Sequence, residues 1–220
     1  MIKIINSLLD YIWPQFCLGC HKEGNLCCDN CIKKLKLLPL QPMPWPEQNN
    51  FYFAACYVCL EYEEILIQKL IKYFKYNYLE NLSTILVSIL NRQLQKMALP
   101  NNTIITNIPL HIKKKRQRGF DQTEILAKQL ATKSSLVYYP LLKRIRKTKT
   151  QAQLSKLQRE KNVAGVFESN KKIVEKLSTQ QLNVVLIDDI ATTGSTLNQA
   201  AKILKQTGFN KIICLVLAKN

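Results

Sequence analysis

Val184-Val185-Leu186-Ile187-Asp188-Asp189-Ile190-Ala191-Thr192-Thr193-Gly194-Ser195-Thr196 is the stretch on which the reading of this chain turns. Residues 184–187 are a short branched apolar run, the kind of strand buried on both faces of a parallel sheet. Asp188 and Asp189 stand at its end. A loop of small residues, Ala191, Thr192, Thr193, Gly194, Ser195 and Thr196, follows. A helix is expected over 195–206, with Gly208 placed to end it. Open α/β sheets bind ligands at the carboxyl ends of their strands. Small residues let backbone amides approach an anion, and the helix N-terminus adds unpaired N–H groups. The hydroxyls of Thr192, Thr193, Ser195 and Thr196 can donate as well. The two carboxylates cannot hold a phosphate, but they accept hydrogen bonds from sugar hydroxyls or help place a hydrated magnesium ion. A phosphate on the loop with a diol on the carboxylates describes a ribose 5-phosphate. Taken singly, these residue types also end strands and cap helices; the whole string after an apolar strand carries the reading. A P-loop is excluded, because there is no GxxxxGK arrangement and no lysine at the required place.

Working outward, the periodicities alternate. Strands are expected over 51–60, over 103–108, where Pro109 stops the run, and over 211–217. Helices are expected over 62–78, 79–96 and 122–131. That alternation argues for an α/β fold, a parallel sheet flanked by helices. Ile4, Ile5, Leu8, Leu9 and Ile12 give residues 1–13 the spacing of a short amphipathic helix. Four prolines between Pro39 and Pro46 exclude a helix or a central strand there and mark a stiff connector. The expected organisation is a helix and cysteine module over 1–40, a proline-rich connector over 41–50, and the α/β domain over 51–220.

Five of the eight cysteines fall between Cys17 and Cys31. Cys17-Leu18-Gly19-Cys20 and Cys28-Asp29-Asn30-Cys31 are two CxxC knuckles, and four thiolates in tetrahedral array suit a structural zinc ion. So small a module has little apolar burial of its own, and a metal would supply the missing stability. Sets of four cysteines also hold iron–sulfur clusters. Cys27 competes with Cys28, but the spacing to Cys31 favours Cys28. His21 reads as a surface residue. Cys56 and Cys59 lie in an expected strand, where residues three apart face opposite sides, and read as core packing; Cys214 reads as buried strand filling. No secretory signal is evident and no apolar run approaches transmembrane length, so the expected location is cytoplasmic. That favours thiolates on a metal over disulfides.

Lys and Arg total 32 against 15 Asp and Glu, a net charge of +17 that attracts polyanions. The charge concentrates in Lys113, Lys114, Lys115, Arg116 and Arg118, and again in Arg144, Arg146, Lys149 and Arg159. Arginine forks grip phosphate oxygens in pairs, so these residues are candidate contacts for pyrophosphate or for a nucleic-acid backbone. Phe120, Tyr138 and Tyr139 are placed to stack on bases. No helix-turn-helix or RNA-motif signature is present.

Together these regions resemble the ComF family, competence-associated proteins of phosphoribosyltransferase type. The likeness rests on the N-terminal CxxC pair, Tyr73-Phe74-Lys75-Tyr76, and Pro109-Leu110-His111 through Arg118-Gly119-Phe120-Asp121-Gln122. It continues through Arg144, Arg146, Thr148, Gln151, Leu154, Arg159, Asn162 and Phe167 to the string at 184–196. That string resembles the phosphoribosyl pyrophosphate (PRPP) signature of type I phosphoribosyltransferases. The resemblance implies a type I phosphoribosyltransferase-like sheet behind a small zinc-ribbon module. It implies that Asp188 and Asp189 contact ribose hydroxyls, that 191–196 hold the 5-phosphate, and that magnesium accompanies PRPP. It also implies a role in natural transformation, with single-stranded DNA and competence proteins such as an uptake helicase or pore as partners. Two further readings stand beside it: a metabolic phosphoribosyltransferase serving a base or amine, and a catalytically silent zinc-containing DNA-binding or scaffold protein. The chain departs from the pattern at Ala191, where many phosphoribosyltransferases carry an acidic catalytic residue, at Asp121, where the family has asparagine, and in its extra Cys27, Cys56 and Cys59. No catalytic residue is assigned.

Overall fold

The computed structural model describes residues 15–44, 51–77, 80–146, 165–177 and 182–220. The expected helix over 1–13, part of the proline-rich connector, Lys149 and Arg159 lie outside the described residues. In chain order the elements are α1 (Asp29–Lys34), β1 (Ala55–Glu61), α2 (Ile65–Tyr76), α3 (Glu80–Leu94), β2 (Thr103–Asn107), α4 (Ile112–Arg118) and α5 (Gln122–Ser134). There follow β3 (Val137–Tyr138), β4 (Leu142–Arg144), β5 (Phe167–Ser169), α6 (Lys171–Val174), β6 (Asn183–Ala191), α7 (Ser195–Gln206) and β7 (Ile212–Lys219).

Five strands form one sheet in the order β1-β7-β6-β2-β3, and every neighbouring pair is parallel. β6 sits at the centre, buried along nearly its whole length. Its side chains divide by the pleat, since successive residues on a strand point to opposite faces. Val185 and Ile187 join the core beneath α2, α3 and α5; Val184 and Leu186 join the core beneath α7. The covering helices show the matching period. α2 buries Ile67, Leu70, Ile71 and Phe74, and α7 buries Leu197, Ala200, Ala201 and Leu204, each one stripe of an amphipathic helix. Cys56 belongs to one core and Cys59 to the other, as expected for residues three apart on a strand.

The cysteine module shares the α2–α3 core. Cys17, Leu26, Cys27, Cys31 and Leu35 pack in the same cluster as Leu70 and Phe74. The chain leaving it runs along β1, where Leu38 N donates to Cys59 O and Met43 N to Cys56 O.

Two expectations change. The apolar run 184–187 extends into a strand that continues to Ala191, so Asp188 and Asp189 lie within β6 instead of after its end. The cause is β7, which pairs with β6 as far as Ala191↔Lys219, whereas β2 stops opposite Ile187. Residues 112–118, where the sequence predicts no element, form α4. No residue of α4 is buried, so it carries no apolar period to read. His111 Nδ1 caps it by accepting from Lys113 N, and Gly119 ends it in the left-handed region at φ 83°. A two-stranded antiparallel hairpin, β4 with β5, was also not anticipated.

Asp121 ties the β2–α5 connection to the sheet. Its Oδ1 accepts from Glu124 N at 3.2 Å and from the Thr123 hydroxyl at 2.8 Å; its Oδ2 accepts from Leu110 N at 2.7 Å. The departure from asparagine therefore does structural work as an N-cap. Replacing it with alanine removes the cap and orphans buried donors, so Asp121→Ala is expected to cost about 2–3 kcal/mol in denaturant unfolding.

Candidate functional site

The loops after β2 and β6 leave the sheet towards opposite faces. β2 leads to α5, which packs with Val185 and Ile187, and β6 leads to α7 on the other side. Adjacent strands whose connections diverge open a crevice at their carboxyl ends, where α/β sheets place ligands. Here the crevice lies between 108–121 and 188–194, and β6 runs past the end of β2 into it.

Asp188 and Asp189 are both buried and, being consecutive on a strand, face opposite sides. Asp189 is bound on the α2–α5 side. Lys75 Nζ lies 2.9 Å from its Oδ2, and Gln122 Nε2 donates to the same atom at 3.1 Å. Gln122 Oε1 in turn accepts from Arg118 Nη1 at 2.9 Å, so α2, α4, α5 and β6 meet at one carboxylate. Asp188 accepts from Asp189 N at 2.9 Å. Burial, and then the charge of Asp189, push its carboxyl well above the usual range, against the pull of that N–H, Lys75 and Arg144. Lys75 and Gln122 carried no assigned role on sequence. A signal existed, because Lys75 is four residues beyond the buried Ile71, a spacing that puts a charge at the apolar stripe of α2.

Residues 192–196 form the turn from β6 into α7. Gly194 adopts φ 74°, in the left-handed region, and as the N-cap has no side chain to offer the first turn. Thr193 Oγ1 and Ser195 Oγ lie 2.7 Å apart, and Ser195 N donates to Thr193 Oγ1 at 3.4 Å. Half-buried Thr192, Thr193, Ser195 and Thr196 thus stand at the N-terminus of a twelve-residue helix, a setting suited to an anion. Ala191 is buried against the α7 core and presents no acid.

The basic candidates divide. Lys113 and Arg116 are exposed on α4 and Lys114 is half-buried beside them. Lys115 is engaged with Glu124 at 2.7 Å. Burial pushes the Glu124 carboxyl up, but hydrogen bonds from Lys115 and Lys128 outweigh it and hold it low. Arg144, on the hairpin, lies over the Phe167 ring at 5.5 Å; burial lowers its pKa, opposed by Asp188 and Asp121. Arg146 is exposed at the hairpin's end. A cavity of about 450 Å³ opens on the β2 side of the crevice, walled by Asn107, Leu110, Lys115, Tyr138, Leu142 and Arg144. Its walls come from the β2–β3 side, so the cavity adjoins the 188–196 segment without being formed by it.

The metal candidates converge. The Sγ atoms of Cys17, Cys20, Cys28 and Cys31 all lie within 4.8 Å of one another. The Cys17–Cys28 and Cys20–Cys28 separations are 3.8 and 3.6 Å, against the ~3.8 Å that four zinc–sulfur bonds of ~2.3 Å impose on a tetrahedron. The residues fit a structural zinc ion. Burial disfavours the Cys17 thiolate, but the backbone N–H groups of Cys20, Cys28 and Gly19 outweigh it and bring its pKa to about 6. Cys27 stands apart: burial pushes its thiol up to about 12. His21 is exposed. Gly19 makes the knuckle possible, since a Cβ there would lie 2.8 Å from Cys31 Sγ and 3.4 Å from Leu66 Cδ1 of α2.

Gly19→Ala is therefore expected to weaken zinc retention in a chelator competition and to lower stability by about 1–3 kcal/mol, from a wild type holding one zinc per chain. Asp188 gives a prediction of opposite sign. A carboxyl raised in the fold keeps its proton there while the unfolded chain gives it up, so stability falls as pH rises past the usual carboxylate range. Asp188→Asn keeps an acceptor for Asp189 N and removes that loss. It is expected to raise stability at pH 7 by about 0.5–2 kcal/mol, with the difference from wild type closing as pH falls below about 4 in thermal unfolding.

The family profile described as phosphoribosyl transferase domain matches residues 117–220, which include 188–196 but neither the cysteine module nor β1 and β2. The chain is 27% identical over 227 residues to Competence protein F of Haemophilus influenzae, covering 92% of this chain and 96% of that protein. It is 32% identical over 111 residues to DNA utilization protein YhgH of Salmonella typhi, covering 50% of this chain and 46% of that protein. It is 32% identical over 110 residues to Competence protein ComFC of Bacillus subtilis, covering 48% and 39% respectively. The chain thus spans nearly all of the first relative and less than half of the other two. No described helix is long and apolar enough to cross a membrane. With the phosphoribosyl transferase match at one end and the four-cysteine cluster at the other, the chain is linked at family level to the ComF-type competence-related proteins.

Proposed function

We propose that this protein acts on incoming DNA in natural transformation and binds PRPP, or a related ribose phosphate, at residues 188–196. The observation that carries the reading is the meeting, at the open end of the central strand, of two buried carboxylates with a hydroxyl-rich turn that starts α7. Asp188 and Asp189 are the acceptors for the ribose hydroxyls. Thr192, Thr193, Gly194, Ser195 and Thr196 receive the 5-phosphate, with donors pointing out of the helix start. Magnesium, brought by the diphosphate, would neutralise charge there, with Asp188 and Asp189 as the carboxylates that could help place its hydration shell. The exposed cations of α4 and the hairpin, Lys113, Arg116 and Arg146 among them, face pyrophosphate or single-stranded DNA. The relatives named for competence and for DNA utilization support the DNA part of this reading.

If transfer occurs, the acceptor attacks ribose C1 as pyrophosphate leaves, and basic groups stabilise the growing charge on the leaving group. Two observations favour a silent site: Ala191 offers no base where many phosphoribosyltransferases carry one, and Asp189 is already paired with Lys75 and Gln122. Calorimetric titration of the zinc-loaded protein with PRPP and magnesium separates these cases. Saturable binding by wild type, lost in an Asp188→Ala, Asp189→Ala variant, is the expected result. A folded wild type that takes up no PRPP sinks the ribose-phosphate reading and leaves the domain as a scaffold.

A further inference from the structure

The groove between the cysteine module and the outer side of α2 lies outside the matched domain and away from the carboxylates of β6. Its volume is about 780 Å³, with Phe16 and His21 on the module side and Lys69, Lys72, Tyr73 and Tyr76 on α2. Three rings around it stand in solvent: Phe16 is 50% exposed, Tyr73 39% and Tyr76 67%. Scattered exposed apolar residues are ordinary, but a cluster around one concavity marks a binding surface. The Tyr76 ring has the Arg118 guanidinium 5.5 Å from its centroid and is still mostly open. Lys69 Nζ is anchored on Leu18 O at 3.1 Å, which holds its charge at the groove. The charged lining residues are Lys69 and Lys72, with no carboxylate beside them among the described residues.

Flat rings interleaved with uncompensated cations are the chemistry that holds an unpaired nucleic-acid strand: bases stack on the rings while phosphates meet the lysines. Tyr73 and Tyr76, three apart on one helix, are surface neighbours and offer adjacent places for successive bases. Lining residues on both the module and α2 make the surface concave, which suits a single strand. Arg118 then continues the positive path from Tyr76 to Lys113 and Arg116 on α4.

We propose that this groove is the binding site for single-stranded DNA, with bases against Phe16, Tyr73 and Tyr76 and phosphates on Lys69 and Lys72. The inference rests on the DNA half of the function proposed above and gives that half a place. The test uses the full zinc-loaded chain and a labelled oligothymidylate of about 15 nucleotides, followed by fluorescence anisotropy. Wild type is expected to bind, more weakly as salt rises. Phe16→Ala with Tyr73→Ala is expected to weaken binding by roughly 5- to 150-fold per ring, with zinc content and PRPP titration unchanged. Tyr73→Phe keeps the ring and is expected to bind as wild type does. Lys72→Gln, a surface change, is expected to lessen the salt slope by about one. Equal binding by wild type and the double variant would overturn the groove and leave the DNA reading standing. No binding by wild type would overturn both. Tighter binding of an oligouridylate makes the ligand RNA, and displacement of oligothymidylate by anionic vesicles makes it a membrane surface; either result overturns the proposal.

Discussion

Two carboxylates in succession on a buried strand must each be accommodated, and the pleat forces them to opposite faces. On one face Asp189 is met by Lys75 from α2 and Gln122 from α5, so that its charge is paired as well as hydrogen-bonded. On the other, Asp188 has the Asp189 N–H and the more distant charges of Arg144 and Lys75, and burial raises its pKa. A lone buried charge is among the costliest things a fold can hold. The helices that cover the sheet are therefore arranged around this point: α2 presents a lysine, α5 begins with a glutamine, and the hairpin carries an arginine towards the crevice. Asp188 is thereby left with a raised pKa, and perturbed groups of this kind cluster at functional sites.

The cysteine module belongs to the same argument. It touches α2 where Lys69 donates to Leu18 O, and its apolar residues complete the core on which α2 lies. An ion held by its four sulfurs would brace the helix that delivers Lys75 to Asp189. The module packs on the core that α2 covers, a metal would add to that order, and the central strand gains a fixed partner for its second carboxylate. The outer side of the same helix is left to Tyr73, Tyr76 and the lysines, so one element serves the sheet with one face and the groove with the other.

The parallel sheet was legible in the apolar runs and their alternation with helical periods, because burial on both faces of β6 leaves a nearly continuous hydrophobic string. The convergence of Cys17, Cys20, Cys28 and Cys31 was legible from spacing, including the choice of Cys28 over Cys27, since a knuckle turn requires two residues between its cysteines. α4 was not legible: a helix with no buried face carries no period, and its N-cap and C-cap residues do the work that packing does elsewhere. The extension of β6 to Ala191 was also hidden, because polar residues normally end a strand in sequence, and only the length of β7 beside it keeps the ladder going.

Local residue chemistry determined the layers, the two cysteine knuckles and the small hydroxyl-rich turn, each of which depends on neighbours a few positions away. Tertiary structure decided what those parts meet. Asp189 finds Lys75 and Gln122 across 114 and 67 positions of chain, Asp121 caps α5 and holds Leu110 N, and Phe16 lines the same groove as Tyr73. None of these pairings leaves a trace in local pattern, because they are set by how helices of fixed period lie across a sheet whose strand order differs from the order of the chain.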